Sequence, residues 1–311
     1  NVIAYLNAHK VSLITADQKE YVIMRVNFLF QLLGYAGKIV ILLWTKDYLL
    51  YLIVEVGLFL IQTLINGNIV NKRYPYIKTK IRYSLDEIER KQLITNIKAL
   101  FLHTISGFCV TSTDNLLISA FIGVMVVGIY SNYTMSIGQL GTILAPLLDG
   151  FGASVGNLIA LENKEKRYNI FRITYFLNFW IYSVGVIFLY CMLEPFINWW
   201  LGSGYLLDSL TYILILVNFY VTGMRASILI FKVKGGLFVQ DQYFTLLEAG
   251  VNLIASCLLA MYIGLPGIFL GTLISTLTTV FWNSPRLVYK HLFDKKVFSY
   301  FKTYTFYASV E

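Results

Sequence analysis

Long apolar segments, separated by short polar ones, recur along the whole chain. A membrane-crossing helix needs about 20 mostly apolar residues, because it climbs ~1.5 Å per residue through a hydrocarbon layer ~30 Å thick. With that window the sequence predicts eight full spans, at 21–43, 48–70, 97–122, 127–156, 173–193, 209–231, 243–263 and 267–289. In lipid the backbone N–H and C=O groups must be hydrogen-bonded within the protein. Segments of this length achieve that by forming helices. The pattern therefore predicts an all-α, polytopic transmembrane helical bundle.

The apolar stretches at the two ends are shorter than a span. Residues 2–14 predict the end of a helix that begins earlier, and residues 300–310 predict the start of another. We therefore expect a partial span at each end and a parent protein that is longer on both sides.

Basic residues lie almost entirely in alternate connections between the predicted spans. The opposite set of connections holds Lys46 alone. The basic connections hold Lys19 and Arg25, the run from Lys72 to Lys98, Lys164 to Arg172, Lys232 with Lys234, and Arg286 to Lys296. Because Lys and Arg are in excess in cytoplasmic loops, these loops are predicted to be cytoplasmic.

The longest polar segment, 71–96, is predicted to be a cytoplasmic linker between two lobes. Ser84 and Glu87 have the spacing of a capping box, and an apolar face follows, so we expect an amphipathic helix on the membrane surface. Residues 1–70 are then the end of an N-terminal lobe. Residues 97–290 form a C-terminal lobe of six spans, and 291–311 a cytoplasmic loop with the start of another span.

Composition agrees with a membrane protein and with few other classes. The chain is 57% hydrophobic and 14% charged, whereas soluble domains carry about 25% charged residues. Its net charge of +8 does not indicate nucleic-acid binding, because the basic loops would lie against anionic headgroups. The sequence contains no P-loop, HExxH, GxSxG or CxxC pattern, and its three Cys and three His are scattered. It therefore predicts no enzyme, metal site or bound cofactor.

Ionisable side chains inside spans are candidates for function, because each costs about 2.5 kcal/mol or more at the membrane centre. The candidates are Lys38, Glu55, His103, Asp114, Asp149, Arg225 and Glu248. Asp114 lies in the polar block 111–115, more than a turn from either end of its span. It either faces a wet cavity or a cation, or it forms a hydrogen-bonded clasp between helices.

The other candidates have two interpretations each. Arg225 either grips a phosphate group in a cavity or extends toward the headgroups, and Glu248 either faces the cavity or lies at its solvated mouth. Glu55 and His103 are either members of structural pairs or cavity residues. Lys38 and Asp149 lie nearer span ends, so we expect them to extend toward the interface.

Two glycine pairs have the spacing that lets helices approach closely. They are Gly152 with Gly156 and Gly267 with Gly271. Small residues four apart predict close helix packing at both places.

Several short stretches, taken in order, resemble one known family. They are 113–119, 127–133, Gly236-Leu237 with Asp241, the helix around Asn252, and 264–268 leading to 271–275. Together they resemble the Wzx-type polysaccharide flippases of the multidrug/oligosaccharidyl-lipid/polysaccharide exporter superfamily. The resemblance covers most of the chain.

That resemblance implies a two-lobed transporter in the bacterial inner membrane. The family moves an undecaprenyl-pyrophosphate-linked oligosaccharide to the outer leaflet by alternating access, for surface polysaccharide biosynthesis beside a polymerase and co-polymerase. It implies cavity roles for Asp114 and Arg225, with Asn115 and Asn132 in the resembling stretches. Asp114 would couple transport to H+ or Na+.

Three other functions stay open at this point. One is an integral-membrane polymerase or glycosyltransferase of the same pathway, although such enzymes usually carry a large outward loop. Another is a drug/cation antiporter of the same superfamily. The third is a membrane assembly subunit without a transport path.

Overall fold

Every secondary-structure element in the described part of the chain is helical. The computed structural model describes residues 5, 7–17, 19, 21–78, 84–149 and 152–310, and these form α-helices with short 3-10 and π turns. They fall into two compact units, Asn1–Ser84 and Leu85–Glu311.

Seven helical segments in these ranges are long and apolar enough to cross a membrane. They are Tyr21–Trp44, Tyr48–Arg73, Glu87–Ile122, Lys164–Leu201, Ser209–Lys234, Phe238–Ile263 and Leu265–Phe293. The prediction of an all-α, polytopic membrane bundle is therefore confirmed.

The first unit is built around a helical hairpin. Its helices are α1 Ala8–Ala16, α2 Tyr21–Trp44 and α3 Tyr48–Arg73, followed by the 3-10 turn Pro75–Lys78. The carboxylate of Asp47 accepts a hydrogen bond from the Leu49 backbone N–H at 2.8 Å and caps α3. A methyl group at Gly37 of α2 would lie 3.7 Å from Val54 Cγ1 of α3, so the glycine lets the two helices lie close.

The opposite end of this hairpin is tied by a small polar contact. Lys19 and the Tyr74 hydroxyl both donate to Asp17 Oδ2, at 2.6 and 2.5 Å. These hydrogen bonds favour the ionised form and lower the pKa of the Asp17 carboxyl below its usual value. The contact joins the segment before α2 to the residue after α3.

The second unit contains the remaining described helices. They are α4 Glu87–Leu117, α5 Val124–Asp149, α6 Gly152–Leu161, α7 Lys164–Leu201, α8 Ser209–Met224, α9 Ala226–Lys234, α10 Phe238–Ile263, α11 Leu265–Thr278, α12 Val280–Val288 and α13 Phe298–Val310. Helix α10 packs extensively against both α4 and α11. These three helices carry Asp114, Asn252 and Thr272.

Helix α4 starts later than predicted and is longer. Its N-cap is Asp86, which forms a capping box with Glu89, so the prediction of Ser84 with Glu87 is wrong by two residues. From there the helix runs without interruption through Leu117 and into a π turn, Ile118–Ile122. The predicted amphipathic helix and the predicted span 97–122 are therefore one continuous helix.

The predicted span 127–156 falls on α5 and is not among the seven candidate spans. Helix α5 has 26 residues and is about 39 Å long at ~1.5 Å per residue, which is enough to cross. It is less apolar than the others because polar side chains recur along it, namely Ser131, Asn132, Thr134, Ser136, Gln139 and Thr142. The described helix ends at Asp149, and a separate helix begins at Gly152.

Two of the spanning segments are broken in the middle. The predicted span 209–231 is interrupted at Arg225, between α8 and α9. The predicted span 267–289 is interrupted at Thr279, whose φ of −119° and ψ of −90° are not helical. Broken helices leave backbone groups without intrahelical partners, and in transporters they surround substrate and ion sites.

The glycine predictions have different outcomes. A methyl group at Gly267 would lie 2.3 Å from the Leu259 backbone oxygen, and one at Gly271 would lie 2.4 Å from Ser256 Oγ. Close packing of α11 on α10 at these glycines is therefore confirmed. No atom of the described residues lies within 4 Å of a methyl group built on Gly156, so close packing is not seen there, and the packing at Gly152 lies outside the described residues.

Candidate functional site: polar clusters in the membrane-spanning helices

Asp114 lies where three helices of the second unit meet. It is 8% exposed on α4, and its Oδ1 accepts a hydrogen bond from the Thr272 hydroxyl of α11 at 3.5 Å. The Asn252 amide of α10 donates to the same hydroxyl at 2.9 Å. The arrangement contains a hydrogen-bonded clasp, which was one of the two predicted interpretations of Asp114.

This clasp leaves hydrogen-bonding capacity unused. Among the described residues, no Lys, Arg or His forms an ion pair with Asp114, and the buried side-chain oxygen of Asn252 has no hydrogen-bond partner. A carboxylate out of water must either take up a proton or be paired with a cation. Oxygen ligands of this kind suit a proton or a hard cation, whereas groups of three or more His, Cys, Asp and Glu at metal-binding distance are absent from the described ranges.

Arg225 occupies the break between α8 and α9. The amide of Asn178 on α7 donates to the backbone oxygens of Gly223 and Met224, both at 3.1 Å, and so satisfies carbonyls at the end of α8. A methyl group at Gly223 would lie 2.0 Å from the Tyr182 ring, so this contact between helices requires glycine. The break is thus held by specific contacts from α7.

Arg225 does not extend toward the headgroups. Its Nη1 lies 3.8 Å from Glu248 Oε1 on α10, and both side chains are largely buried. The Thr276 hydroxyl donates to the same Glu248 oxygen at 3.1 Å, while Arg225 Nε is buried without a partner among the described residues. Glu248 is therefore part of a buried ion pair and not a solvated mouth residue.

A second buried ion pair joins α9 to α10. Lys232 donates to Asp241 Oδ2, and Asn283 of α12 donates to Asp241 Oδ1. Lys232 also donates to the Ser284 hydroxyl at 3.4 Å. Asp241 is 0% exposed and Lys232 is 5% exposed. The sequence places Lys232 in a basic connection after the predicted span 209–231, whereas in the structure Lys232 is buried within α9, which continues to Lys234.

The first unit contains its own charged pair. Lys38 Nζ lies 2.8 Å from Glu55 Oε1 and 5.1 Å from the centre of the Tyr51 ring. The pair lies between α2 and α3, so Lys38 does not extend toward the interface as predicted. Glu55 is a member of a pair, but its side chain remains 47% exposed.

The remaining predicted residues do not belong to these clusters. His103 Nε2 lies 2.8 Å from the Phe238 backbone oxygen, a contact between α4 and the start of α10. Asn132 donates to the Gly128 backbone oxygen at 3.2 Å within α5. Asn115 is exposed on α4, and the Asp149 side chain lies outside the described residues.

The sequence identified Asp114 as a candidate but not its hydrogen-bonding partners, Thr272 and Asn252. Thr272 and Asn252 are uncharged, so they do not stand out from neighbouring polar residues of a span, although both lie in stretches on which the expected family resemblance rests. Asp241 also lies in such a stretch. Its burial depends on contacts from three helices, which no local pattern reveals.

The described residues thus contain an Asp114 cluster, two buried ion pairs and one half-open pair, all in segments with the length and composition of membrane spans. No protein-family model matches the chain, and neither a curated protein nor a solved structure is significantly similar to it.

Proposed function

We propose that the chain is the core of a secondary transporter that flips an undecaprenyl-pyrophosphate-linked oligosaccharide across the bacterial inner membrane by alternating access. One observation supports this above all. Asp114, Asn252 and Thr272 come from three separate stretches that resemble the Wzx-type flippases, and hydrogen bonds join them in one cluster. Stretches far apart in sequence therefore converge on one polar cluster within helices long and apolar enough to cross a membrane, which supports a transport site.

Asp114 is the coupling residue in this mechanism. Binding of a proton or Na+ neutralises the carboxylate and so lowers the cost of keeping it away from water. The neutral form favours the state in which the site is closed, and the ionised form favours the state open to water. Thr272 and Asn252 supply the neighbouring oxygens.

Arg225 is the residue suited to the pyrophosphate group. A guanidinium stays charged and binds phosphate oxygens through two parallel hydrogen bonds. In the present state Arg225 is paired with Glu248, and its Nε has no partner among the described residues. If Arg225 leaves Glu248 and binds phosphate when the transporter opens, substrate binding stabilises the open state. The open state in turn binds the substrate more tightly.

The proposal is tested by depleting the intact protein from its host. Depletion should abolish surface polysaccharide and leave the lipid-linked oligosaccharide in the inner leaflet, where an external glycan-modifying enzyme does not reach it. Unchanged surface polysaccharide after depletion would refute the proposed function.

A point variant tests the role of Asp114. Asp114→Asn removes the titrating group with little change in shape, and it should lower export by about ten-fold or more. The matched control is Asp294→Asn, the same change at an exposed carboxylate that pairs with Lys164 at 3.0 Å. Full export by Asp114→Asn, with the control equal to the wild type, would remove Asp114 from the mechanism.

A drug/cation antiporter of the same superfamily is the second candidate. It is favoured by the buried Asp114 carboxylate, which has no cationic partner among the described residues. In that case expression should drive proton- or Na+-dependent efflux of a cationic dye from vesicles. Such efflux, together with normal polysaccharide after depletion, would favour the antiporter.

A further inference from the structure

A polar groove runs along the contact between α2 and α3 in the first unit. It has a volume of about 300 Å³, which is at the lower end for pockets that hold small ligands. Its polar lining consists of Asn27, Gln31, Tyr35, Lys38, Glu55 and Gln62. The groove lies beside the contact between Gly34 of α2 and Leu58 of α3. A methyl group built on Gly34 would lie 4.0 Å from Leu58 Cδ1.

The polar residues form a row along each helix. On α2 the row runs from Asn27 through Gln31 to Lys38, at spacings of three or four residues, which places its members on one face. The row is about 17 Å long at ~1.5 Å per residue, more than half of a ~30 Å hydrocarbon layer. Side chains of this kind are costly to place against lipid over such a length, so the row requires water, a polar ligand or further polar groups of the protein beside it.

The groove residues make few hydrogen bonds with one another. The Gln62 and Asn66 amides both donate to Asn27 Oδ1, at 2.7 and 2.9 Å, and Gln31 donates to the Tyr35 hydroxyl at 2.9 Å. The side-chain oxygens of Gln31 and Gln62 accept no hydrogen bond from the described residues. Each carbonyl oxygen can accept two, so much of the capacity is open.

This open capacity matches one class of ligand. Amide groups donate and accept at adjacent atoms, as sugar hydroxyls do, and the carboxylate of Glu55 is a further strong acceptor. Tyr35 and Phe59 also line the groove, and an aromatic ring can stack on the apolar side of a sugar ring. A phosphate is disfavoured because the positive charge of Lys38 is already balanced by Glu55 at 2.8 Å.

We propose that the α2–α3 groove binds the sugar part of the transported substrate, with Gln31 and Gln62 as its main hydrogen-bonding residues. This inference rests on the proposed function. Such a groove favours hydroxyl-rich groups over charged ones.

Cysteine protection in the intact protein tests the proposal without requiring transport. Single cysteines are placed at position 31 or 62 after the native cysteines are replaced, and their reaction with a water-soluble maleimide is followed in membrane vesicles. The matched control is Leu33→Cys, which lies on the opposite side of α2 and is exposed. The probes are the soluble oligosaccharide released from the host's surface polysaccharide, and inorganic pyrophosphate.

Cysteines at 31 and 62 should react about ten-fold faster than the one at 33, because only they face water. The oligosaccharide should slow labelling at 31 and 62 several-fold, and pyrophosphate should not. Labelling at 31 as slow as at 33 would show that the groove is not aqueous. Protection by pyrophosphate alone would show an anion site. Either outcome overturns the proposal.

Export measurements separate this inference from the proposed function. The double variant Gln31→Leu, Gln62→Leu should export about ten-fold less, because the lost hydrogen bonds weaken sugar binding. Asn68→Leu removes an amide from the opposite face of α3 and should export normally. If depletion abolishes export but the double variant exports fully, the groove proposal fails and the proposed function stands.

Discussion

Two lysine–carboxylate pairs in this protein have the same chemistry and very different surroundings. Lys232 and Asp241 are enclosed, and Asn283 and Ser284 supply further hydrogen bonds. Lys38 and Glu55 lie at a groove, and the Glu55 side chain is 47% exposed. An enclosed pair whose oxygens all have protein partners holds helices together. A pair with open capacity is available to a ligand.

Removing one member of the enclosed pair should have the largest effect. Asp241→Leu leaves the Lys232 charge buried without a partner, which costs about 3–5 kcal/mol. The measurement is thermal or denaturant unfolding of the full-length protein in detergent. The double variant Lys232→Met, Asp241→Leu is the control and should recover most of the loss, because neither charge of this pair remains. A single variant as stable as the wild type would show that Lys232 reaches water.

A neutral neighbour of the enclosed pair should matter less. Asn283→Leu leaves Asp241 Oδ1 without its donor, and an unsatisfied buried group costs about 1–3 kcal/mol. The same unfolding measurement checks this value. If the stability were unchanged, Asn283 would not be needed to satisfy the carboxylate.

The groove pair should contribute little to stability. Glu55→Gln removes a half-exposed ion pair, which is worth about 0–1 kcal/mol. We therefore expect a free energy of unfolding within that range of the wild type. A loss as large as that of Asp241→Leu would mean that Glu55 is enclosed, and the contrast between the two pairs would disappear.

The smallest expected effect is a difference between the two pairs in how their coupling free energy depends on salt. At about 1 M salt the screening length falls to ~3 Å, which weakens exposed pairs far more than buried ones. A double-mutant cycle should give a coupling free energy for Lys38 and Glu55 that decreases with salt. The coupling between Lys232 and Asp241 should stay constant. Equal salt dependence would contradict the difference in burial.

The spans could be predicted because their signal is local. A run such as 48–70 is apolar throughout, and the structure forms α3 there, Tyr48–Arg73. Lys38 and Glu55 were recognised as costly for the same reason. Their pairing could not be predicted, since it depends on how α2 and α3 pack side by side.

The helix breaks and the enclosed pair needed the tertiary structure. Arg225 is not preceded by proline, and its break depends on Asn178 of another helix. Asp241 lies near the end of a predicted span, where a solvated carboxylate is the simpler expectation, yet α9 and α12 enclose it. Asp114 could be identified from the sequence because an ionisable residue within a span is unusual. Thr272 and Asn252 are uncharged, and uncharged polar residues are common in spans.

Water access to the polar face of α4 tests the central claim most directly, namely that polar groups at membrane depth line an aqueous path. Asn115 lies on the same face of α4 as Thr104 and Thr111. Leu116 lies on the same face as Phe101 and Ile105. Both Asn115 and Leu116 are exposed. In the intact protein without native cysteines, a membrane-impermeant maleimide should label Asn115→Cys and leave Leu116→Cys unlabelled. Equal labelling, or no labelling at position 115, would contradict the claim.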